Sequence, residues 1–268
     1  MRPSRVLAKL RAGQAVSCFK LNLDSSRAAE IAALAGFDCL WTCMEHVPND
    51  YALIERQINA AKIYDVDVVV RVARGGYSDY IRPLELDAAG IMVPHIMSAT
   101  DAKRVANMTR FHPIGRRPVD GGNADGKYCG IDFCDYLKQA NEQRFVIVQI
   151  EDPEPLKELD EIASVQGIDM LFFGPGDFSH AIGVPGNWDD SRIADARQRV
   201  AVAARKHGKF AGTVGSPANM EDLIALGYQF INLGADVIAL ANNCGSIVES
   251  FSGVKSSGKS GSIYGNRQ

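Results

Sequence analysis

Eight short apolar runs recur along this chain, each separated from the next by a segment of helical period, and that alternation restricts the fold more than any other feature. The runs are Ala15–Leu21, Phe37–Cys43, Asp67–Val72, Gly90–Val93, Phe145–Ile150, Ile168–Phe173, Phe210–Val214 and Phe230–Leu233. Continuous apolar strands of this kind are buried on both faces, as in a parallel sheet covered by helices. Helical patterns lie between them at Ser25–Ala35, Tyr51–Ile63, Ala99–Met108, Pro153–Ser164, Ser191–His207, Pro217–Leu226 and Val237–Phe251. Asp24, Asn49-Asp50 and Ser216-Pro217 supply N-caps or a first-turn proline. The chain has 268 residues, and a closed (β/α)8 barrel typically needs ~250. An open sheet is expected to carry a nucleotide fingerprint after its first strand, and none is present. The spacing therefore predicts one α/β domain, a (β/α)8 TIM barrel over residues 1–251.

Composition excludes other classes. The net charge of -3 gives no basic field to attract nucleic acid or acidic lipid. No apolar run approaches the ~20 residues of a membrane span. The opening Met1-Arg2-Pro3-Ser4-Arg5 leads into a short mixed segment unlike a signal-peptide core. Cys18, Cys39, Cys43, Cys129, Cys134 and Cys244 lack C-x-x-C spacing, sit mostly among apolar neighbours and are expected to be buried free thiols, which suits a cytoplasmic protein. Two segments break the alternation. Arg110–Gly130 is long, polar and rich in Gly and Pro, as lids, binding loops and oligomer contacts are. Residues 252–268 are rich in Ser, Gly and Lys and are expected to be a disordered tail.

In such a barrel the reactive groups sit at the C-terminal ends of strands. The fifth run ends in Gln149-Ile150-Glu151, and the sixth leads through Gly174-Pro175-Gly176 to Asp177. Side chains leaving the same end of neighbouring parallel strands converge, and two converging carboxylates call for a hard divalent cation bound by oxygen. The backbone amides of Gly176 and Asp177 are candidates to receive a substrate carboxylate. Arg71, closing the third run, is placed to stabilise a developing oxyanion. His46 follows the second run, and histidine is the side chain best suited to acid–base work near neutral pH. His95 and His180 are cleft-lining candidates, while His112 and His207 read as surface residues. Lys20, closing the first run, could attract a second acidic group on the substrate, or could equally be a solvated lysine.

Taken in order, the segments Gly36-Phe37-Asp38, Glu45-His46-Val47-Pro48-Asn49, Val70-Arg71, Gly90-Ile91-Met92-Val93-Pro94, Val148-Gln149-Ile150-Glu151 and Gly174-Pro175-Gly176-Asp177-Phe178-Ser179 resemble the HpcH/HpaI group of metal-dependent class II pyruvate aldolases. The likeness runs from about Leu7 to Phe251. It implies a barrel whose last helix is exchanged with a neighbouring subunit, in a hexamer built as a trimer of dimers. It implies cleavage of a 4-hydroxy-2-keto acid (2-keto-3-deoxy sugar acid type) to pyruvate and an aldehyde through a metal-stabilised enolate. Carried over, Glu151 and Asp177 hold Mg2+ or Mn2+, with Co2+ a further candidate. Gln149 orients that ligand, Arg71 neutralises the enolate oxygen and His46 handles the proton on the aldol hydroxyl. Three departures stand out. Cys43 occupies the place of an aspartate that supports the histidine in many relatives. Lys20 stands near where several relatives carry an aromatic residue. Arg116-Arg117-Pro118-Val119-Asp120 replaces a shorter Arg-Gly pattern in the loop that receives the aldehyde. Two alternatives stay open: a citrate-synthase-like or CoA-ester lyase reaction on the same platform, and a keto-acid-binding barrel impaired by Cys43.

Overall fold

The computed structural model describes residues 1–252. All eight runs form strands: β1 Val16–Lys20, β2 Cys39–Cys43, β3 Asp67–Arg71, β4 Gly90–Val93, β5 Phe145–Ile150, β6 Met170–Phe173, β7 Phe210–Val214 and β8 Phe230–Ala235. Each pairs in parallel with the next and β8 returns to β1, so the sheet closes into a (β/α)8 barrel. The helices are α1 Arg5–Arg11, α2 Ser26–Leu34, α3 Tyr51–Lys62, α4 Tyr77–Glu85, α5 Ala99–Thr109, α6 Phe133–Gln143, α7 Leu159–Ser164, α8 Pro175–Ala181, α9 Ser191–Lys206, α10 Met220–Leu226 and α11 Asp236–Ser252.

Strand alternation divides the core in two. Outward residues such as Leu40, Val68, Ile91, Val148 and Leu171 pack under the helices. Inward residues fill the barrel with Cys18, Trp41, Val69, Met92, Ile147 and Phe172. Val6, Leu7 and Leu10 of α1 join that inner cluster and plug the N-terminal end. A belt of acids at the strand starts fixes the plug. Asp67 accepts from Ser4 Oγ at 2.6 Å and from the Val6 amide at 2.9 Å. Asp38 receives Lys9 at 2.8 Å and Arg5 at 3.1 Å. Asp87 pairs with Arg144, and Asp169 with Arg110.

Several boundaries and environments differ from the sequence expectation. Ser25, and not Asp24, caps α2 through Ala28. α10 begins at Met220, because Ser216-Pro217 forms a preceding turn in which Asn219 Oδ1 accepts from the Ser216 amide. Helices α1 and α8, of seven residues each, are too short to declare themselves in sequence, whereas α4, which contains Pro83, and α6 carry an apolar period that went unread. All six cysteines are free, but Cys129, Cys134 and Cys244 are exposed, not buried. Arg110–Gly130 is no lid over its own barrel mouth. It lies at the strand starts, where Arg110 bonds the carbonyls of Arg144 and Gly167. Within it Arg117 is buried against Asp125 at 3.0 Å, and Tyr136 donates to the same carboxylate at 2.9 Å. The expected tail lies outside the described residues apart from Ser252, which ends α11. α11 leaves β8 and exposes Leu240, Ile247 and Phe251, so a helix with this much apolar surface is only partly used by its own barrel.

Burial alone would raise the Asp38 pKa, but hydrogen bonds from Lys9 and Ser17 outweigh it and hold the carboxyl below its usual 3.8. A depressed carboxyl stabilises the fold above its unfolded pKa and stops doing so as pH falls through the folded value. Asp38→Asn is therefore expected to lower the denaturation midpoint at neutral pH. The gap from the parent protein should close on acidification to below the usual 3.8, read by urea titration across pH.

Candidate active site at the C-terminal mouth of the barrel

Inward alternation on β3 and β5 carries Arg71 and Gln149 to the top of the barrel, and Glu151 follows one residue beyond β5. Glu151 is 1% exposed. Its Oε2 accepts from Gln149 Nε2 at 2.8 Å and its Oε1 from the His95 amide at 2.8 Å. Burial pushes its pKa up to about 7, and the charge of nearby Asp177 adds to the rise, while His95 and Arg71 oppose it. His95 takes a left-handed φ of 49°, unusual for a residue with a Cβ. The hydrogen bond its backbone N–H donates to Glu151 accompanies this conformation, and its Nδ1 lies 2.8 Å from Asp152 Oδ2.

Gly174 opens α8 directly behind the carboxylate. A Cβ at Gly174 would lie 2.6 Å from Glu151 Oε2 and 2.8 Å from Glu151 Cβ, so only glycine lets the two strand ends approach. Pro175 fits the first helical position, where its missing N–H costs nothing. Asp177 stands exposed in that first turn. Ser179, buried beneath, donates to the Gly176 carbonyl at 2.8 Å and fixes the turn.

Across the mouth, Arg71 is 4% exposed and stacks on Trp41, with Cζ 4.9 Å from the ring centroid. Its Nε and one Nη each lie 3.3 Å from Cys43 Sγ. Glu45 Oε2 sits 3.0 Å from Arg71 Nε and 3.4 Å from His46 Nε2. A carboxylate thus bridges the arginine and the histidine, although position 43 itself carries a thiol. Asn49 closes this loop by donating to the Cys43 carbonyl at 2.9 Å. His46 reaches into solvent with 57% of its side chain exposed. Lys20 is buried, 2% exposed, with Nζ 5.0 Å above the Trp41 ring.

The structure thus brings Arg71, Gln149, Glu151, Asp177, Gly176 and His46 to one end of the barrel. His95 joins them. His180 is exposed on α8, His112 is exposed, and His207 is half-buried beside Asp160 at 3.0 Å. Sequence reading gave Glu45 no firm role and assigned none to Trp41, Asp152 or Ser179. Trp41 lay within the apolar run Phe37–Cys43, where nothing set it apart, and Asp152 was not singled out. Among the described residues no three His, Cys, Asp or Glu side chains group as a metal cage. The donor set still suits a hard cation. It offers two carboxylates, one buried with a raised pKa, and the Gln149 Oε1 oxygen, which is buried without a hydrogen-bond partner.

The family model for HpcH/HpaI aldolase/citrate lyase matches residues 17–243. The chain belongs to this family. It is a carbon–carbon lyase of the aldolase type, similar to curated aldolases along nearly its whole length. A hydroxypyruvate/pyruvate aldolase from Pseudomonas aeruginosa is 32% identical over 264 residues, covering 98% of each chain. A 4-hydroxy-2-oxo-heptane-1,7-dioate aldolase from Escherichia coli is 32% identical over 91% of this chain and 93% of its own. Among solved structures, an HpcH/HpaI family protein from Burkholderia cenocepacia J2315 superposes with a TM-score of 0.84 at 32% identity, over 91% of this chain and 98% of that one. A citrate synthase also superposes with a TM-score of 0.84, at 25% identity, over 91% of this chain and 96% of that one.

Gly174→Ala is expected to destabilise the protein by about 1–3 kcal/mol, the range for overpacking a filled site. Both close neighbours belong to the constrained Glu151, so guanidinium titration should register the loss even without substrate.

Proposed function

We propose that this member of the family reversibly cleaves a 4-hydroxy-2-keto acid of the 2-keto-3-deoxy sugar acid type into pyruvate and an aldehyde, with a divalent cation as cofactor. The observation that carries the reading is the buried Glu151 carboxyl, raised to about 7 and sharing the mouth with Asp177 and Arg71. Glu151 and Asp177 would hold Mg2+, Mn2+ or Co2+, with Gln149 steadying the ligand set. When bound, such an ion supplies Lewis acidity toward the keto group of the donor.

The remaining work falls to the chain. Arg71 is fixed by Trp41, Cys43 and Glu45, so its guanidinium meets negative charge on the keto oxygen without reorganising. The amides of Gly176 and Asp177 receive the donor carboxylate. His46 takes the proton from the 4-hydroxyl during cleavage and returns it during synthesis. Glu45 orients His46 and supplies the negative charge that Cys43 cannot, which argues against the impaired-binder alternative. A bond-forming reaction like that of the citrate synthase is the second reading, favoured by the closeness of that superposition. Calorimetric binding of a CoA thioester would raise it above the first.

The exposed apolar residues of α11, together with Ile31 and Leu34 on α2 and Ile224 on α10, support exchange of the last helix between subunits of a homohexamer. No helix among the described residues is long and apolar enough to cross a membrane.

This reading is open to direct test. Pyruvate release, coupled to lactate dehydrogenase, is expected to stop on chelation and return with Mg2+ or Mn2+. Arg71→Ala should lower kcat by about 10²–10³, the usual loss of one preorganised oxyanion donor. Glu45→Gln should lower it by about 10–100-fold, as loss of an orienting partner does, with Cys43→Asp restoring part of the activity in that background. Because a cation needs Glu151 ionised and its pKa is about 7, Mn2+ affinity should rise as pH increases through that value. Calorimetry should show proton release on binding below it.

A further inference from the structure

The carboxylate of Glu151 is held on one side by a backbone amide, and an unusual turn presents that amide. The chain passing from β4 into α5 lies across the end of β5. The His95 amide donates to Glu151 Oε1 at 2.8 Å, and the next amide, that of Ile96, donates to the Gln149 carbonyl at 3.2 Å. His95 makes its bond from left-handed backbone, with φ 49°. A residue with a Cβ stays in that region only where its surroundings hold it. The residues that follow are tied separately. The Met97 amide donates to Asp101 Oδ2 at 3.1 Å, and Ser98 caps α5 by accepting from the Asp101 amide at 3.2 Å. His95 itself is tied by its ring, whose Nδ1 lies 2.8 Å from Asp152 Oδ2. A carboxylate only accepts, so Nδ1 carries the hydrogen. The imidazole is 40% exposed, too open for packing alone to fix it. Consecutive residues at the end of β5 therefore clasp one histidine at two points, Glu151 at its amide and Asp152 at its ring.

We propose that Asp152 is a positioning residue for the cation ligand Glu151 and acts through His95. Its bond to the imidazole keeps His95 in the left-handed turn, and the turn aims the amide that fixes Glu151 Oε1. The inference rests on the reading of Glu151 as a ligand and adds the residue that keeps this ligand in place. The other oxygen of Glu151 is steadied by Gln149 Nε2 at 2.8 Å. With both oxygens engaged the carboxyl has a fixed plane. Without the His95 amide it turns about the Gln149 bond alone. Ligands oriented by such outer partners bind metal more tightly than unsupported ones. Asp152 supports the ligand without joining the set, since its Oδ2 is taken up by the ring.

Two measurements on the full chain test this. In the metal-free protein, hydrogen exchange of the His95 amide, read by NMR, reports the turn directly. Asp152→Ala is expected to speed that exchange about tenfold, the value of one hydrogen bond. Asp152→Asn, whose amide oxygen still accepts from Nδ1, should keep most of the protection. Unchanged exchange in Asp152→Ala would overturn the proposal. Calorimetry with Mn2+ gives the second reading. Asp152→Ala should weaken binding by about 10–100-fold, as loss of an outer partner does, and Asp152→Asn by much less. In a His95→Gly background, where glycine takes left-handed backbone freely, Asp152→Ala should cost little more. Equal losses in Asp152→Asn and Asp152→Ala, or a loss undiminished in the His95→Gly background, would show Asp152 acting by its charge and would overturn the proposal while leaving the aldolase reading intact. A parent protein that binds no Mn2+ would instead bring down the cation reading, with the exchange measurement still deciding whether Asp152 holds the turn. The Asp152→Asn comparison decides the matter even where His95→Gly does not fold.

Discussion

A carboxylate almost wholly removed from water must be neutralised, paired or protonated, and the mouth of this barrel is organised around that requirement at Glu151. Its two oxygens are engaged by Gln149 and by the His95 amide. Both donors are neutral, so they solvate the carboxylate without cancelling its charge. Asp177 adds a second negative charge to the same region. The site is therefore tuned to accept positive charge, and the aldolase reading follows from that imbalance together with the fixed guanidinium of Arg71. The glycine at position 174 and the left-handed backbone at His95 are local concessions to the same demand, since each brings backbone close to the buried carboxyl.

The two ends of the barrel divide stability from chemistry. At the strand starts Asp38, Asp67, Asp87 and Asp169 each meet a basic partner, and α1 closes the interior. At the strand ends the balance is different: burial raises Glu151, and Gln149 Oε1 lacks a hydrogen-bond partner among the described residues. Balanced groups hold a fold, whereas unbalanced ones invite a ligand. Glu45 links Arg71 of β3 to His46 of the loop after β2 in a chain where position 43 is a thiol. Its placement shows how the mouth keeps a carboxylate beside His46 despite Cys43.

Much of this architecture was legible in the residues. The eight apolar runs became strands whose boundaries agree or shift by at most two positions, because buried parallel strands have no polar face to blur the signal. The carboxylates at 151 and 177 and the arginine at 71 could be placed at one end because strand ends face the same way in a barrel. What escaped was short or depended on three dimensions. Helices α1 and α8 are seven residues each, too short for a pattern to show, and Pro83 interrupts the reading of α4. The long segment Arg110–Gly130 reads as a loop over a site, yet the buried pair Arg117–Asp125 ties it to the other end. Trp41 looked like core, and only its shared contact with Lys20 and Arg71 reveals it as the floor of the pocket.

The account stands or falls on whether Glu151 and Asp177 bind one ion between them. Anomalous diffraction at the manganese edge, from crystals equilibrated with Mn2+ at a pH above the raised Glu151 value, reads this directly. A single peak within coordinating distance of both carboxylates is the expected result. A map with no peak there, or with manganese elsewhere on the barrel, would contradict the account.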